Sequence, residues 1–281
     1  MIRIITDTAS DITFQQAESM NIELVELPIT FEDGLCPQGT EEDFVTFYDR
    51  LVSCEQLPVT SRPSPETYLE MFKQAEKDSD DVLVLTLSSG LSGTYESALI
   101  AQKLAGYQRV HVVDTHQAIL TQRMLVEHAV RLRDEGYEVQ VIAERITELR
   151  DQVVVCGVVD TLKYLRMGGR IPASLAMIGK MLHIKPVIIL QDATLKTLGK
   201  ARSYQAGVNM LYKQLETDGY NKAYPLYFGY TSNRELGERF MKETKERYGL
   251  SRASFHPIGG IIGTHCGTDC VAVAYMKLSN Q

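Results

Sequence analysis

Apolar positions along this chain follow two alternating rhythms, and the clearest change from one to the other lies at residues 81–105. Val82, Leu83, Val84, Leu85 and Leu87 run without polar alternation, the pattern of a strand buried on both faces of a parallel sheet. The run ends in Ser88-Ser89-Gly90-Leu91-Ser92-Gly93-Thr94, after which Tyr95, Ala98, Leu99 and Leu104 recur at helical spacing. The same sequence of strand, small polar residues and helix occurs earlier, where Ile4-Ile5 runs into Asp7-Thr8 ahead of a short helix at 14–20. Residues 22–29 predict a second strand and Asp33-Gly34 a turn. Thr40 with Asp43 forms a capping box ahead of an amphipathic helix carrying Phe44, Phe47, Tyr48 and Leu51. Prolines 58, 63 and 65 stiffen a loop presenting Thr60 and Ser61 before a helix with Ser64 as N-cap. A strand at 109–114 ends in Asp114-Thr115, and helices follow at 118–135 and 139–150.

From Val153 the pattern changes. A strand at 153–159 leads into a short helix at 161–167, closed by Gly168-Gly169 with Arg170 just beyond. A helix at 172–182 carries Met177, Ile178 and Met181. Segments 184–190 and 195–198 frame a hairpin turn at Gln191-Asp192-Ala193, and 200–204 extends that sheet. Helices at 206–215 and 235–248 flank a strand at 226–230. A glycine-rich loop then surrounds Thr264 and His265, and the final strand is 271–277. The expected architecture is α/β with two domains: residues 1–152, a mostly parallel sheet flanked by helices, and residues 153–281, an α+β domain with a mixed sheet.

Composition narrows the function. The 281 residues are 44% hydrophobic and 23% charged, the profile of an ordinary folded protein. Lys and Arg total 29 against 36 Asp and Glu, a formal charge of −7, so the basic footprint that nucleic acid requires is missing. No apolar run reaches the ~18 residues of a membrane span, and strand-like residues at the start leave no room for a signal peptide. Five irregularly spaced cysteines suit a reducing cytoplasm.

Candidate chemistry collects where polar residues end strands, the place at which open α/β sheets hold ligands. A nucleophile elbow would need G-x-S-x-G, but around Ser92 the second glycine is replaced by Thr94. A triad on another turn, with Asp114 or Asp160 orienting His265, stays open. His265, Cys266, Asp269 and Cys270 supply only half of a zinc site, so no metal is expected. Neither a dinucleotide fingerprint nor a phosphate-binding P-loop is present, so no cofactor is expected. What the residues do suit is a small anion held by hydroxyls, with Thr60, Ser92 and Thr264 as donors and His265 or Arg170 as the positive group.

In order and spacing, Thr60-Ser61-Arg62-Pro63-Ser64-Pro65, Ser88-Ser89-Gly90-Leu91-Ser92-Gly93-Thr94-Tyr95, Leu165-Arg166-Met167-Gly168-Gly169-Arg170-Ile171, Ile184-Lys185-Pro186 and Gly263-Thr264-His265 resemble the motifs of the DegV family of bacterial fatty-acid-binding proteins. Thr6-Asp7-Thr8 is similar to that family's N-terminal Asp-Ser motif. The resemblance implies two α/β domains with a long-chain fatty acid such as palmitate or oleate between them. It also implies a separate ATP-dependent fatty acid kinase that phosphorylates the bound carboxylate for phospholipid synthesis. By the same resemblance Thr60, Ser92 and His265 contact the carboxylate with Arg170 nearby, and the chain itself is a cytoplasmic carrier with no catalysis of its own. Met177, Ile178, Met181, Ile261 and Ile262 are candidates for the wall around the acyl tail. Arg62 departs from the family's usual glutamine and would add charge at the mouth. Cys266-Gly267-Thr268-Asp269 stands where the family favours a Gly-Pro-Gly turn, and residues 114–125 lack glycines common in the family. An esterase or thioesterase using Ser92, and a regulator that senses lipid, are the alternatives.

Overall fold

The computed structural model describes residues 1–171 and 184–278. The predicted helix at 172–182, with Met177, Ile178 and Met181, lies outside the described residues.

The first half of the chain builds a four-stranded parallel sheet from β1 (Ile2–Asp7), β2 (Glu23–Val25), β6 (Asp81–Thr86) and β7 (Val110–Asp114), in the order β2-β1-β6-β7. The unbroken aliphatic run of β6 is explained by parity, since neighbouring side chains in a strand point to opposite faces. Val82 and Val84 pack with Ile5, Tyr68, Phe72 and Ala98, beneath α3 (Pro65–Asp78) and α4 (Thr94–Ala105). Leu83 and Leu85 pack on the other side with Leu125 and Ile142, from α5 (Ile119–Asp134) and α6 (Val139–Leu149).

The segment expected to be one strand at 22–29 is two. The helix α1 (Phe14–Met20) precedes β2, whereas β3 (Ile29–Phe31) belongs to a separate small antiparallel sheet with β4 (Gly34–Cys36) and β5 (Val59–Thr60), in the order β4-β3-β5. Pro28 intervenes, and a proline offers no N–H to a ladder. Between β4 and β5, α2 (Glu41–Ser53) starts with the predicted reciprocal box, Thr40 Oγ1 accepting the Asp43 amide and Asp43 accepting the Thr40 amide.

The second half builds a six-stranded mixed sheet from β8 (Val153–Val158), β9 (Lys185–Gln191), β10 (Thr194–Ala201), β11 (Leu226–Tyr230), β12 (Ala253–Pro257) and β13 (Val271–Met276), in the order β10-β9-β8-β13-β11-β12. The β9–β10 hairpin turns on Asp192 and Ala193, both at positive φ (50° and 60°), the handedness a two-residue hairpin loop requires. One face, with Cys156, Val158, Val273 and Tyr275, is covered by α8 (Tyr204–Asp218) and α9 (Arg234–Tyr248). The opposite face, with Val155, Leu190, Ala272 and Ala274, joins the core of the first half. The two sheets therefore share one apolar interior. Two short helices border it, α7 (Lys163–Met167) and α10 (Gly260–Cys266). The latter corrects the expectation of a glycine-rich loop: His265 is helical, and its helix packs against α2, α7 and β5. Among the described residues no helix is long and apolar enough to cross a membrane, and no three His, Cys, Asp or Glu side chains converge as a metal site would require.

Candidate functional site

Thr60 sits on β5, where pairing with Ile29 replaces the loop expected from its prolines. Strand parity sends Val59 to solvent, 64% exposed, and turns Thr60 inward. Its hydroxyl lies 3.2 Å from Nε2 of His265. His265 is brought there by three bonds from the first half of the chain to the start of α10. The Asp11 carboxylate accepts the Gly259 amide at 2.9 Å, Gln38 Oε1 accepts the Gly260 amide at 2.9 Å, and Tyr48 donates to the Ile258 carbonyl at 2.8 Å. Side chains of another part of the chain thus satisfy groups that a helix start cannot pair by itself.

His265 Nδ1 is buried without a hydrogen-bond partner. It presses on Gly168, where a Cβ would lie 2.2 Å away, so the first glycine of the Gly-Gly-Arg stretch is required for space. The second, Gly169, has open space around it but adopts φ +69°. Burial, reinforced by nearby Arg170, lowers the imidazole's pKa to about 4. His265 is thus neutral at physiological pH, which decides between the two groups, His265 or Arg170, expected to supply positive charge. That property belongs to Arg170, whose exposed guanidinium donates to the Gly168 carbonyl at 2.7 Å and reaches the Leu91 carbonyl at 3.4 Å.

Ser92 lies in the loop between β6 and α4. Buried Ser88 organises this loop: its carbonyl accepts the Leu91 and Ser92 amides, and its hydroxyl donates to the Ala193 carbonyl at the hairpin tip, 2.7 Å away. The Ser92 hydroxyl is 2.9 Å from that of Thr94. Arg62 lies against Gly93 and pairs with Glu96 at 2.7 Å, so the charge expected from it at the mouth is offset. Thr264 is not in the site. Its hydroxyl turns back to the Gly260 carbonyl within α10.

Thr60, Ser92, Arg170 and His265 surround one end of a cavity of about 280 Å³. Ser61 and Arg62, next to Thr60, also line it, and the remaining wall is mostly apolar, with Leu27, Leu87, Ile119, Leu190 and Ile258 among its residues, and Ile261 and Ile262 from α10. The strand ends Asp7 and Asp114 brace this region instead of lining it. Asp7, pushed up to about 6 by burial, accepts amides of Leu87 and Ala9, and Asp114 accepts those of Ser89 and His116. Cys156, Cys266 and Cys270 also border the cavity, and burial raises all three thiols, Cys266 to about 12. They are inert thiols at neutral pH.

Sequence reading missed Asp11, Gln38 and Tyr48, and the cavity-facing Gly157 and Ala272. Tyr48 stood only as a core position in an amphipathic pattern, and nothing local marks the others. The arrangement can hold an elongated apolar molecule with one polar end, where hydroxyls and a neutral imidazole meet it and an arginine waits outside. A triad is not assembled: the Ser92 hydroxyl partners Thr94, and His265 partners Thr60, with no carboxylate on Nδ1.

Comparison with known proteins identifies what this chain is similar to. The family model described as "Uncharacterised protein, DegV family" matches residues 1–278. A DegV domain-containing protein of Caldanaerobacter subterraneus subsp. tengcongensis is 29% identical over 98% of both chains. Among the solved structures that cover 99% of this chain are that of a stearic acid-binding protein from Eubacterium ventriosum, at 26% identity, TM-score 0.88 and 98% of its own chain, and that of a DegV family protein from Thermus thermophilus described for fatty acid binding, at 27% identity, TM-score 0.87 and 99% of its own chain.

Proposed function

The chain belongs to the DegV family, and from that premise we propose that it binds a long-chain fatty acid and presents its carboxylate to a separate ATP-dependent fatty acid kinase. The acyl tail occupies the apolar cavity between the two sheets. The carboxylate lies at the polar end, accepting hydrogen bonds from Thr60 and Ser92, while neutral His265 fixes the Thr60 hydroxyl and Arg170 supplies charge at the mouth. The chain needs no catalytic group of its own in this role, and the nucleotide belongs to the partner.

The observation that carries this reading is the union of one apolar cavity with hydroxyls confined to one end. A tail of about 16 carbons, at ~0.8 kcal/mol per methylene, gains on the order of 10 kcal/mol before ordering costs. A buried carboxylate left unpaired would cancel much of that gain, so the head must be hydrogen-bonded. The two structural relatives, named for stearic acid and for fatty acid binding, support the ligand class.

Native mass spectrometry of the purified chain, with solvent extraction of whatever it releases, tests the reading. A stoichiometric fatty acid is expected. A chain that is empty and takes up neither palmitate nor oleate would overturn it and direct attention to ester turnover at Ser92.

A further inference from the structure

Among the described residues Arg123, on α5, is the one Lys or Arg enclosed in the protein interior, at 3% exposure. It falls in the stretch 114–125 that lacks the family's common glycines, and the fatty-acid reading leaves it without a role. Its guanidinium donates to the Asp11 carbonyl and, at 2.8 Å, to Gln16 Oε1 of α1. It also lies 3.6 Å from Glu127, one turn further along its own helix. Glu127 accepts the Tyr227 hydroxyl of β11 at 2.5 Å, so the group ties helices of the first half to the sheet of the second. Two polar atoms are left over: Arg123 Nε and Asp11 Oδ2 are both buried without a partner.

We propose that Arg123 is a positioning residue for the fatty-acid head: it keeps the Asp11 carboxylate ionised, that carboxylate seats α10, and fatty-acid affinity thereby follows the protonation of Asp11. The proposal rests on the fatty-acid reading above.

Asp11 ends the turn that follows β1, with φ +56°, and aims its carboxylate at the Gly259 amide, where α10 begins. An ionised carboxylate accepts about twice as strongly as a neutral acid, so the start of α10 is held best when Asp11 carries its charge. At the other end of that short helix His265 meets Thr60, and a loosened start displaces the pair from the carboxylate site. Burial pushes the Asp11 carboxyl up, while the Gly259 amide and then Arg123 pull it down, which leaves it at about 7. Tyr48 from α2 and Cys266 from α10 also face Asp11, but burial raises both and keeps them neutral near pH 7. Arg123 is therefore the charge that decides the state of Asp11, and Glu127 tempers it by sharing the guanidinium. Because a seated α10 favours the ionised form, binding that needs a seated α10 lowers the Asp11 midpoint. Affinity is then full above that midpoint and falls as pH drops through it.

The test measures oleate affinity of the whole chain from pH 6 to 8.5 by calorimetry, and the Asp11 carboxyl midpoint of the unliganded chain by ¹³C NMR. The variants are Asp11→Asn, which suits the left-handed backbone, Arg123→Met, Arg123→Lys and Glu127→Gln. Relative to Asp11→Asn, wild type is expected to lose about threefold in affinity from pH 8 to pH 6. Asp7, which titrates near 6, is present in both chains and cancels in that comparison. Arg123→Met should raise the Asp11 midpoint by about one pH unit and weaken oleate at pH 7 about threefold, and Arg123→Lys should restore most of both. Glu127→Gln frees the guanidinium and should move the midpoint the opposite way, a result that damage to the fold does not produce and that stands even if Arg123→Met fails to fold. An Asp11 midpoint that stays put in the Arg123 and Glu127 variants, or a wild-type pH profile that persists in Asp11→Asn, would overturn the positioning role alone. So would an Arg123→Met loss of equal size in the Asp11→Asn background. A wild type that binds no oleate at any pH overturns the fatty-acid reading with it.

Discussion

Thr60 Oγ1 and His265 Nε2 share a hydrogen bond of 3.2 Å although 205 residues separate them. The pair is the point where the small antiparallel sheet meets α10, and it governs the polar end of the cavity. With the ring proton on Nε2 donated to Thr60, the threonine's own O–H is free to turn toward a ligand. Thr60→Val keeps the shape and removes that donor, and Ser92→Ala removes the neighbouring one. Each is expected to weaken fatty-acid binding by about 1 to 3 kcal/mol, as a lost bond to a charged acceptor does. Titration calorimetry with oleate checks this, and unchanged affinity in both variants would remove them from the site.

His265 has a folded pKa near 4, whereas an unfolded imidazole takes its proton near 6.5. Its contribution to stability is therefore whole above pH 6.5 and is lost as pH falls toward 4, because only the unfolded chain binds the proton in that window. Burial raises the carboxyls of Asp11 and Asp7 to about 7 and about 6, which acts in the opposite sense, so the informative quantity is a difference. His265→Gln loses the one-proton term that makes unfolding free energy rise with pH, so between pH 4 and 6.5 its slope should be more negative than that of wild type, by up to ~1.4 kcal/mol per pH unit. Equal slopes would mean that the ring titrates normally.

Gly168 and Gly169 are neighbours with different requirements. Gly168→Ala forces a methyl group onto the His265 ring and should reduce fatty-acid affinity and cost about 1 to 3 kcal/mol in stability. Gly169→Ala meets nothing and costs about 1 to 2 kcal/mol for its left-handed backbone, with affinity little changed. Urea denaturation with a binding assay on each variant separates the two effects.

Tyr48→Phe leaves the buried Ile258 carbonyl without its side-chain donor and loosens the start of α10. A loss of about 1 to 3 kcal/mol is expected on unfolding, together with weaker fatty-acid binding, although Tyr48 touches no ligand in the proposed pose. Stability lost with affinity intact would show that α10 is held adequately by Asp11 and Gln38.

Ala272 stands opposite Gly157 in the β8–β13 pair, and both border the cavity. Ala272→Leu places bulk in the space assigned to the acyl tail. Affinity for oleate should fall by about tenfold or more and that for octanoate by much less, since a short tail stays near the head. Equal losses would place the tail elsewhere.

The two rhythms of apolar residues were enough to read the longer helices and strands, because parity and helical period act over a few residues and need no knowledge of the rest, but not the short strands β4 and β5, the edge strand β12 or the helix α10. Local chemistry was equally legible: the Thr40–Asp43 box formed as spaced, and Thr60, Ser92, Arg170 and His265 were singled out from the residues around them. What lay beyond reach depended on distant partners. Residues 22–29 split because β3 found β5 and not β1, and the glycine-rich segment became a helix because Asp11, Gln38 and Tyr48 satisfy its opening. Either His265 or Arg170 was expected to carry the positive charge, and only the burial of His265 against Gly168 and Thr60 decided it, by making the imidazole neutral. By itself, then, the sequence determined the longer elements, the family and the residues worth watching. The tertiary structure decided that those residues share one cavity and what charge they bear there, since desolvation and long-range hydrogen bonds exist only after the chain has closed on itself.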